Sequence, residues 1–251
     1  VRQQDVPVYR EWVGSLDGDV NAQIRAQVTG YLSARDYQEG SFVRKGDPLF
    51  EIDPRPFQAL LNQAKGQLAQ AEAQLEKTAL DVKRYTPLVK TSAISQEELD
   101  DAVQANLAAK ASVAAAKAAV EKAALDLGFT RVTSPIDGIA GIALAQVGDL
   151  VGPGASGNLT TVSTVNPIRA YISLSEQEYL EAAAGQTPLN QLELKLVLAD
   201  GSVFPPPGRI LFADREVNPR TGTIKVVAGF DNPGNLLRPG QFIRVRALLK
   251  I

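Results

Sequence analysis

The spacing of hydrophobic positions changes twice along this chain, and the two changes divide it. From Val1 to about Asp53, β-branched residues alternate with polar ones and glycines punctuate the pattern, as in Val6-Pro7-Val8-Tyr9 and Gln23-Ile24-Arg25-Ala26-Gln27-Val28. An alternation of period two predicts short strands and turns. At Asp53 the period lengthens. Asp53 is a good N-cap and Pro54 suits a first helical position. Phe57, Leu61, Ala64, Leu68, Ala71, Leu75, Thr78, Val82 and Tyr85 then follow at alternating steps of four and three. This heptad seam predicts a helix of roughly 32 residues, about 48 Å long.

Pro87 is expected to stop that helix, since it has no amide proton and pushes Thr86 out of helical geometry. After a short loop, Ser95 and Glu98 have the spacing of a capping box, and Glu97, Asp100 and Asp101 add negative charge at the positive end of a second helix. Its seam reads Leu99, Ala102, Asn106, Ala109, Val113, Ala116, Val120, Ala123 and Leu127, with Gly128 expected as the C-terminal glycine. Two heptad helices of matched length joined by a short connection predict an antiparallel hairpin, and the many alanines let the axes approach closely.

The second helix carries more apolar surface than one partner covers. Val103, Leu107, Ala111, Ala114 and Ala118 lie off the seam. Two readings stand side by side: hairpins packing laterally in an oligomer, or alanine simply supplying helix propensity.

After Gly128 the strand pattern returns and persists to Ile251. Asn166-Pro167 marks a boundary between a glycine-rich β unit and a second β unit, and Ser175 to Ala184 predicts one short helix capped by Ser175 with Glu178 three residues later. Pro205-Pro206-Pro207, Asn232-Pro233-Gly234 and Arg238-Pro239-Gly240 predict turns.

Composition narrows the function. The 251 residues suffice for two or three compact units, the net charge is only -2, and the basic residues are spread out, which argues against a nucleic-acid partner. The chain has no Cys, His or Met, which removes thiol nucleophiles, imidazole bases, disulfides and nearly every soft metal site. No enzyme, cofactor or metal reading is therefore favoured. No apolar run approaches the roughly 20 residues that span a bilayer. The start at Val1 and the stop at Ile251 within a strand-like pattern read as a mature or trimmed fragment, with an anchor expected outside it.

The segments flanking the hairpin resemble each other. Ala26-Gln27-Val28-Thr29-Gly30 and Gly40-Ser41-Phe42-Val43-Arg44-Lys45-Gly46-Asp47-Pro48-Leu49 precede it; Ser134-Pro135-Ile136-Asp137-Gly138 and Gln146-Val147-Gly148-Asp149-Leu150-Val151 follow it. Each side pairs a glycine turn with a Gly-Asp turn, as in the two halves of a lipoyl or biotinyl domain. In a carrier domain the halves meet at a turn bearing a modifiable Lys; here the helical hairpin occupies that place.

A split lipoyl unit with an inserted hairpin and a following β unit resembles the periplasmic adaptors, or membrane fusion proteins, of RND-type tripartite efflux pumps. Ile52-Asp53-Pro54-Arg55-Pro56-Phe57 is similar to the family's entry into the hairpin. Asn218-Pro219-Arg220-Thr221-Gly222-Thr223 and Leu237-Arg238-Pro239-Gly240-Gln241-Phe242 are similar to the end of its β-barrel domain, and Asp5-Val6-Pro7-Val8-Tyr9 to its beginning. Arg84, Leu88 and Ser95 match the spacing of the Arg-Leu-Ser signature with which such adaptors engage a TolC-type outer-membrane channel.

The resemblance implies an elongated, multi-domain, mixed α and β fold. A discontinuous β-barrel is expected over 1–17 and 167–251, a lipoyl-like β-sandwich over 18–53 and 129–166, and the α-helical hairpin over 54–128, with a membrane-proximal domain outside the chain. It further implies a periplasmic subunit anchored to the inner membrane of a Gram-negative bacterium, linking an RND transporter to the channel and self-associating as a hexamer, a trimer of dimers. An ABC- or MFS-driven exporter is the alternative engine, and a lipoyl or biotinyl carrier the alternative protein class.

Two further patterns have local explanations. Gly152-Pro153-Gly154-Ala155-Ser156-Gly157 matches G-x-G-x-x-G, but strand-like Leu159-Thr160-Thr161-Val162 follows where a dinucleotide site requires a helix. The acids Glu97, Glu98, Asp100 and Asp101 are explained by the helix dipole without a cation.

Overall fold

The computed structural model describes residues 8–154, 157–184 and 193–250. Asp5, Val6, Pro7, Ala155 and Ser156, which take part in motifs quoted above, lie outside the described residues. In chain order the elements are β1 (Val8–Arg25), β2 (Gly30–Arg35), β3 (Phe42–Val43), β4 (Pro48–Ile52), α1 (Arg55–Lys90), α2 (Gln96–Gly128), β5 (Arg131–Thr133), β6 (Gly138–Ala140), β7 (Leu150–Val151), β8 (Asn158–Ser175), α3 (Glu176–Ala184), β9 (Glu193–Val197), β10 (Val203–Asn218), β11 (Thr223–Phe230) and β12 (Phe242–Lys250). This is the mixed α and β architecture, hairpin and β-rich units together, that the sequence pattern predicts.

Six antiparallel strands close on themselves in the order β1-β12-β9-β10-β11-β8, with β8 pairing back onto β1. Closure removes the open edges that a sheet of this size would otherwise present. Inward residues alternate along each strand, and Trp12, Leu16, Ile168, Leu174, Leu194, Leu196, Phe230 and Val245 fill the interior. Gly208 is required there, because a Cβ at this position would run into the ring of its cross-strand neighbour Phe230. α3 packs on this core through Tyr179.

β1 and β8 are each 18 residues long and run through the barrel into a second body. There β8, flanked by β1 and β6 with β3 beyond, forms one layer, and β5-β4-β2-β7 forms the other. Ile24, Leu32, Leu49, Phe50, Ile52, Leu159 and Val162 fill the space between. The two Gly-Asp turns of the repeat have the same geometry. Gly46 and Gly148 take φ of 93° and 100°, a conformation glycine adopts without strain. Asp47 Oδ2 accepts the Arg44 N–H and Asp149 Oδ2 the Gln146 N–H, both at 2.8 Å. Each turn also bonds across to the other half, Gly46 N to Ser134 O and Gly148 N to Leu32 O at 2.8 Å. At Asn166-Pro167 the chain does not break; the β8 strand continues, and what changes is which core its inward residues enter.

The hairpin leaves at Ile52 and returns at Arg131. Because β4 and β5 are antiparallel neighbours, and Ile52 N donates to Thr130 O at 2.8 Å, its two legs start side by side. Every seam residue named above is buried or half-buried, with Leu61, Ala64, Thr78, Asn106, Ala109 and Val113 the most enclosed. With 36 and 33 residues, the helices extend about 54 and 50 Å.

Three end assignments differ from expectation. Helix α1 starts at Arg55 with Pro54 in the cap position, so Asp53 is not the cap; its carboxylate instead accepts the Arg55 N–H at 3.1 Å. Pro87 does not stop α1, which continues to Lys90. A proline that close to the end removes one intrahelical donor only, and the half-buried Tyr85 and Leu88 keep the last turns on the seam. Gly128 lies inside the last turn of α2 without positive φ. The chain passes directly into β5, and the final carbonyls are met by Phe129 N on Leu125 O at 2.9 Å and Thr130 Oγ1 on Leu127 O at 2.6 Å.

Candidate functional site

The end of the hairpin far from the β bodies gathers Arg84, Leu88 and Ser95. Arg84 and Leu88 stand four residues apart on α1, hence on one face. Arg84 is almost two turns from the helix end, farther than a stop at Pro87 would place it, because α1 runs on to Lys90. Its guanidinium approaches Asp81 Oδ1 at 3.6 Å but its side chain keeps 67% exposure, so most of its five donors face solvent. Leu88 is half-buried. The turn wraps its carbonyl, which accepts Thr91 N at 3.2 Å, Ala93 N at 3.0 Å and Thr91 Oγ1 at 3.0 Å. Ser92, at φ 55°, makes the reversal.

Ser95 opens α2 as a complete capping box. Its hydroxyl accepts Glu98 N at 3.2 Å, and its own N–H donates to Glu98 Oε2 at 2.9 Å. The acidic first turn therefore serves the helix end, with Glu98 Oε2 held by Ser95. The tip thus offers an exposed guanidinium, a half-buried aliphatic side chain and a capped helix start. That set suits hydrogen bonding to carbonyls or carboxylates on another helical end, not bond-making chemistry.

The off-seam positions of α2 lie where the heptad arithmetic puts them. Val103 is half-buried, Leu107 is 50% exposed, and Ala111, Ala114 and Ala118 are exposed. Within one chain, Leu107, Ala111, Ala114 and Ala118 of this stripe stay exposed.

Two polar clusters go beyond what the sequence pattern signals: the burial of Asn232, and the contacts that join the predicted Ser175–Glu178 cap to β1. Asn232, expected only as part of a turn, is fully buried. Its amide donates to Val165 O at 2.9 Å and Leu237 O at 3.0 Å, its side-chain oxygen accepts Leu237 N at 3.0 Å, and its backbone N–H donates to Asn166 Oδ1 at 2.9 Å. The β11–β12 connection is thereby tied to β8 at the level where the two cores meet, and the Arg169 Nε–Asp19 Oδ1 pair at 2.6 Å ties β8 to β1. An Asn-Pro-Gly turn was the only signal in the sequence, and it says nothing of burial.

The second cluster is on α3. Glu178 Oε2 accepts Ser175 N at 2.9 Å and Ser175 Oγ at 2.8 Å, completing the expected cap, while Oε1 accepts Trp12 Nε1 at 3.3 Å. The Ser175 backbone bond chiefly holds the Glu178 carboxyl below the usual range, with the Ser175 hydroxyl, Trp12 and Arg10 assisting against partial burial. At the hairpin base Arg55 clamps Asp53 at 2.7 and 2.9 Å, and its side-chain hydrogen bonds lower the Asp53 carboxyl to about 2. No group of His, Cys, Asp or Glu able to hold a metal ion occurs among the described residues, and none of their helices is long and apolar enough to cross a membrane.

Comparison with known proteins bears on these surfaces. Residues 60–130 match the alpha-helical hairpin domain of RND membrane fusion proteins, and residues 167–250 match their beta-barrel domain. The chain is 38% identical to the multidrug export protein AcrE of Escherichia coli K12 over 98% of its own length and 66% of AcrE. It is 37% identical to the multidrug efflux pump subunit AcrA of the same organism, over 98% of its own length and 64% of AcrA. The chain thus spans slightly less than two thirds of these relatives. In fold it resembles a crystallised MacA-MexA chimeric protein carrying the Pseudomonas aeruginosa MexA alpha-hairpin domain, with a TM-score of 0.72 at 23% identity over 98% of this chain and 84% of that one.

Proposed function

The chain belongs to the RND membrane fusion proteins, and from that premise we propose that it is the periplasmic adaptor linking an inner-membrane RND transporter to a TolC-type outer-membrane channel, for efflux of drugs or other toxic compounds. The observation that carries this reading is the placement of an exposed Arg84 and a half-buried Leu88 at the far end of a hairpin whose legs are held together by adjacent strands. An arm about 50 Å long, built on a closed barrel and a two-layer sandwich, reaches a partner well beyond the body that carries it.

In this reading Arg84, Leu88 and Ser95 meet the channel, with Arg84 supplying the directional donors. The barrel is assigned to 1–17 and 167–251, the sandwich to 18–53 and 129–166, and the arm to 54–128. Copies associate as a hexamer, a trimer of dimers, with the Val103, Leu107, Ala111, Ala114 and Ala118 stripe between neighbouring arms. The protein works at the periplasmic side of the inner membrane, and its action is mechanical, coupling and sealing without covalent chemistry.

Photo-cross-linking tests this. With the full-length protein expressed beside its channel, a cross-linker at Leu88 should give an adaptor–channel adduct, and one at the exposed Leu211 of the barrel should not. Adducts from Leu211 alone would overturn the assignment of the tip.

A further inference from the structure

At the base of the hairpin, away from the tip, lies a groove of about 790 Å³. Two strand edges and the last turns of α2 enclose it. β1 between Val20 and Arg25 pairs with β8 alone, β5 pairs with β4 alone, and their free edges face each other across the opening. Leu125, Phe129, Ile24 and Pro135 contribute apolar wall. Leu125 and Phe129 are 60% and 37% exposed, so this surface is left to water within the chain.

Two guanidinium groups, Arg25 and Arg131, line the same groove. Neither forms an ion pair among the described residues, and Arg25 is bound only by Gln23 Oε1 at 2.6 Å. The one acid in the lining, Glu121, stands two turns before Phe129, toward the shaft of the hairpin. Volume, a wall part apolar and part polar, two cations on the lining and a position between two structural bodies are the attributes of a small-molecule site. A guanidinium presents a donor fork that fits a carboxylate or sulfonate, and an apolar body laid against Leu125 and Phe129 would remove their surface from water.

We infer that this groove binds an amphipathic organic anion, a carboxylate or sulfonate carried on an apolar body. The occupant touches α2 on one side and β1 and β5 on the other, so it joins the arm to the sandwich and restrains the base about which the arm would swing. This site stands independently of the partner assigned to the tip.

The test is a fluorescence titration of the whole protein with dansyl-undecanoate, its uncharged methyl ester serving as the comparison. One-site saturable binding is expected, weakened about tenfold or more for the ester and for Arg25→Gln/Arg131→Gln, the loss that removing a charge-assisted hydrogen bond produces. Leu125→Ser should weaken both ligands. Phe242→Ser, which removes an apolar side chain 77% exposed elsewhere, should leave binding unchanged. These four side chains are exposed or partly so, and circular dichroism confirms that each variant is folded. Absence of saturable binding, equal affinity for acid and ester, wild-type affinity of the double Arg variant, or loss on Phe242→Ser would each overturn the assignment.

Discussion

Asn106 Nδ2 donates to Thr78 Oγ1 at 3.1 Å in the middle of the hairpin, a buried polar bond joining two otherwise apolar seams. The Thr78 hydroxyl donates in turn to Leu75 O at 3.0 Å, so its lone pair is free to accept the amide. A polar pair at facing seam positions sets one axial alignment, since any slip strands the amide among alanines.

Thr78→Val should therefore destabilise the hairpin by about 1–3 kcal/mol, the cost of a buried donor left without its acceptor. Thr78→Val/Asn106→Leu should recover most of this while loosening the register. Thermal unfolding followed by helical circular dichroism reads the first effect. Disulfide trapping between cysteines introduced across the seam reads the second, with non-native pairs appearing only in the double variant.

Asn232→Ala should cost on the order of 3 kcal/mol, because Val165 O and both polar groups of Leu237 lose a buried partner together. Denaturant unfolding measures the loss. Hydrogen exchange should rise along β8 about Val165 and leave the hairpin unchanged; a uniform rise across the chain would refute the local role given to this side chain.

Trp12 is the only tryptophan, so its fluorescence reports on Glu178. The folded Glu178 carboxyl sits below its unfolded value, so its contribution to stability is complete above the unfolded pKa of about 4.3 and is lost as the pH falls through the lower folded value. An acid titration should thus show a Trp12 transition below about pH 4.3, absent in Glu178→Gln. The Asp53–Arg55 clamp follows the same sign and should persist until the pH falls to about 2.

At the tip, Arg84→Glu should abolish drug resistance at normal expression while barely changing stability, since the exposed Asp81 contact contributes no more than about 0.5 kcal/mol. Ser95 requires a variant that separates two roles. Ser95→Ala should cost about 1 kcal/mol through the lost cap, whereas Ser95→Asp keeps an N-capping oxygen, at the cost of repulsion from the Glu98 carboxylate, and changes the surface offered to a partner. Resistance lost in the Asp variant and stability lost in the Ala variant would separate contact from capping.

Leu107→Glu/Ala114→Glu places charges on the exposed stripe of α2 without touching the seam. Sedimentation of the full-length protein should then shift toward smaller species. An unchanged distribution would leave alanine propensity as the explanation of that surface.

The heptad seams were legible from the chain alone because a helix is a local object. Its period is written in neighbouring residues, and every position from Phe57 to Leu127 that the period assigned to the seam is buried or half-buried in the folded protein. The Ser95–Glu98 and Ser175–Glu178 caps and the twin Gly-Asp turns were legible for the same reason: each closes its carboxylate bond within four residues. Helix ends were less so. Pro87 and Gly128 carry stop signals weaker than the packing of Tyr85 and Leu88 and the direct entry into β5.

Sequence by itself thus determined the hairpin, its caps and the repeat, all short-range patterns, whereas Pro205-Pro206-Pro207, expected as a turn, lies inside β10 where the pairing with β9 shifts register. Only the tertiary structure decided that β1 and β8 run unbroken through both cores, that Asn232 pins their junction, and that Arg25 and Arg131 frame one groove. Those relationships join residues far apart in the chain, and no local period records which distant strand or loop will supply a partner.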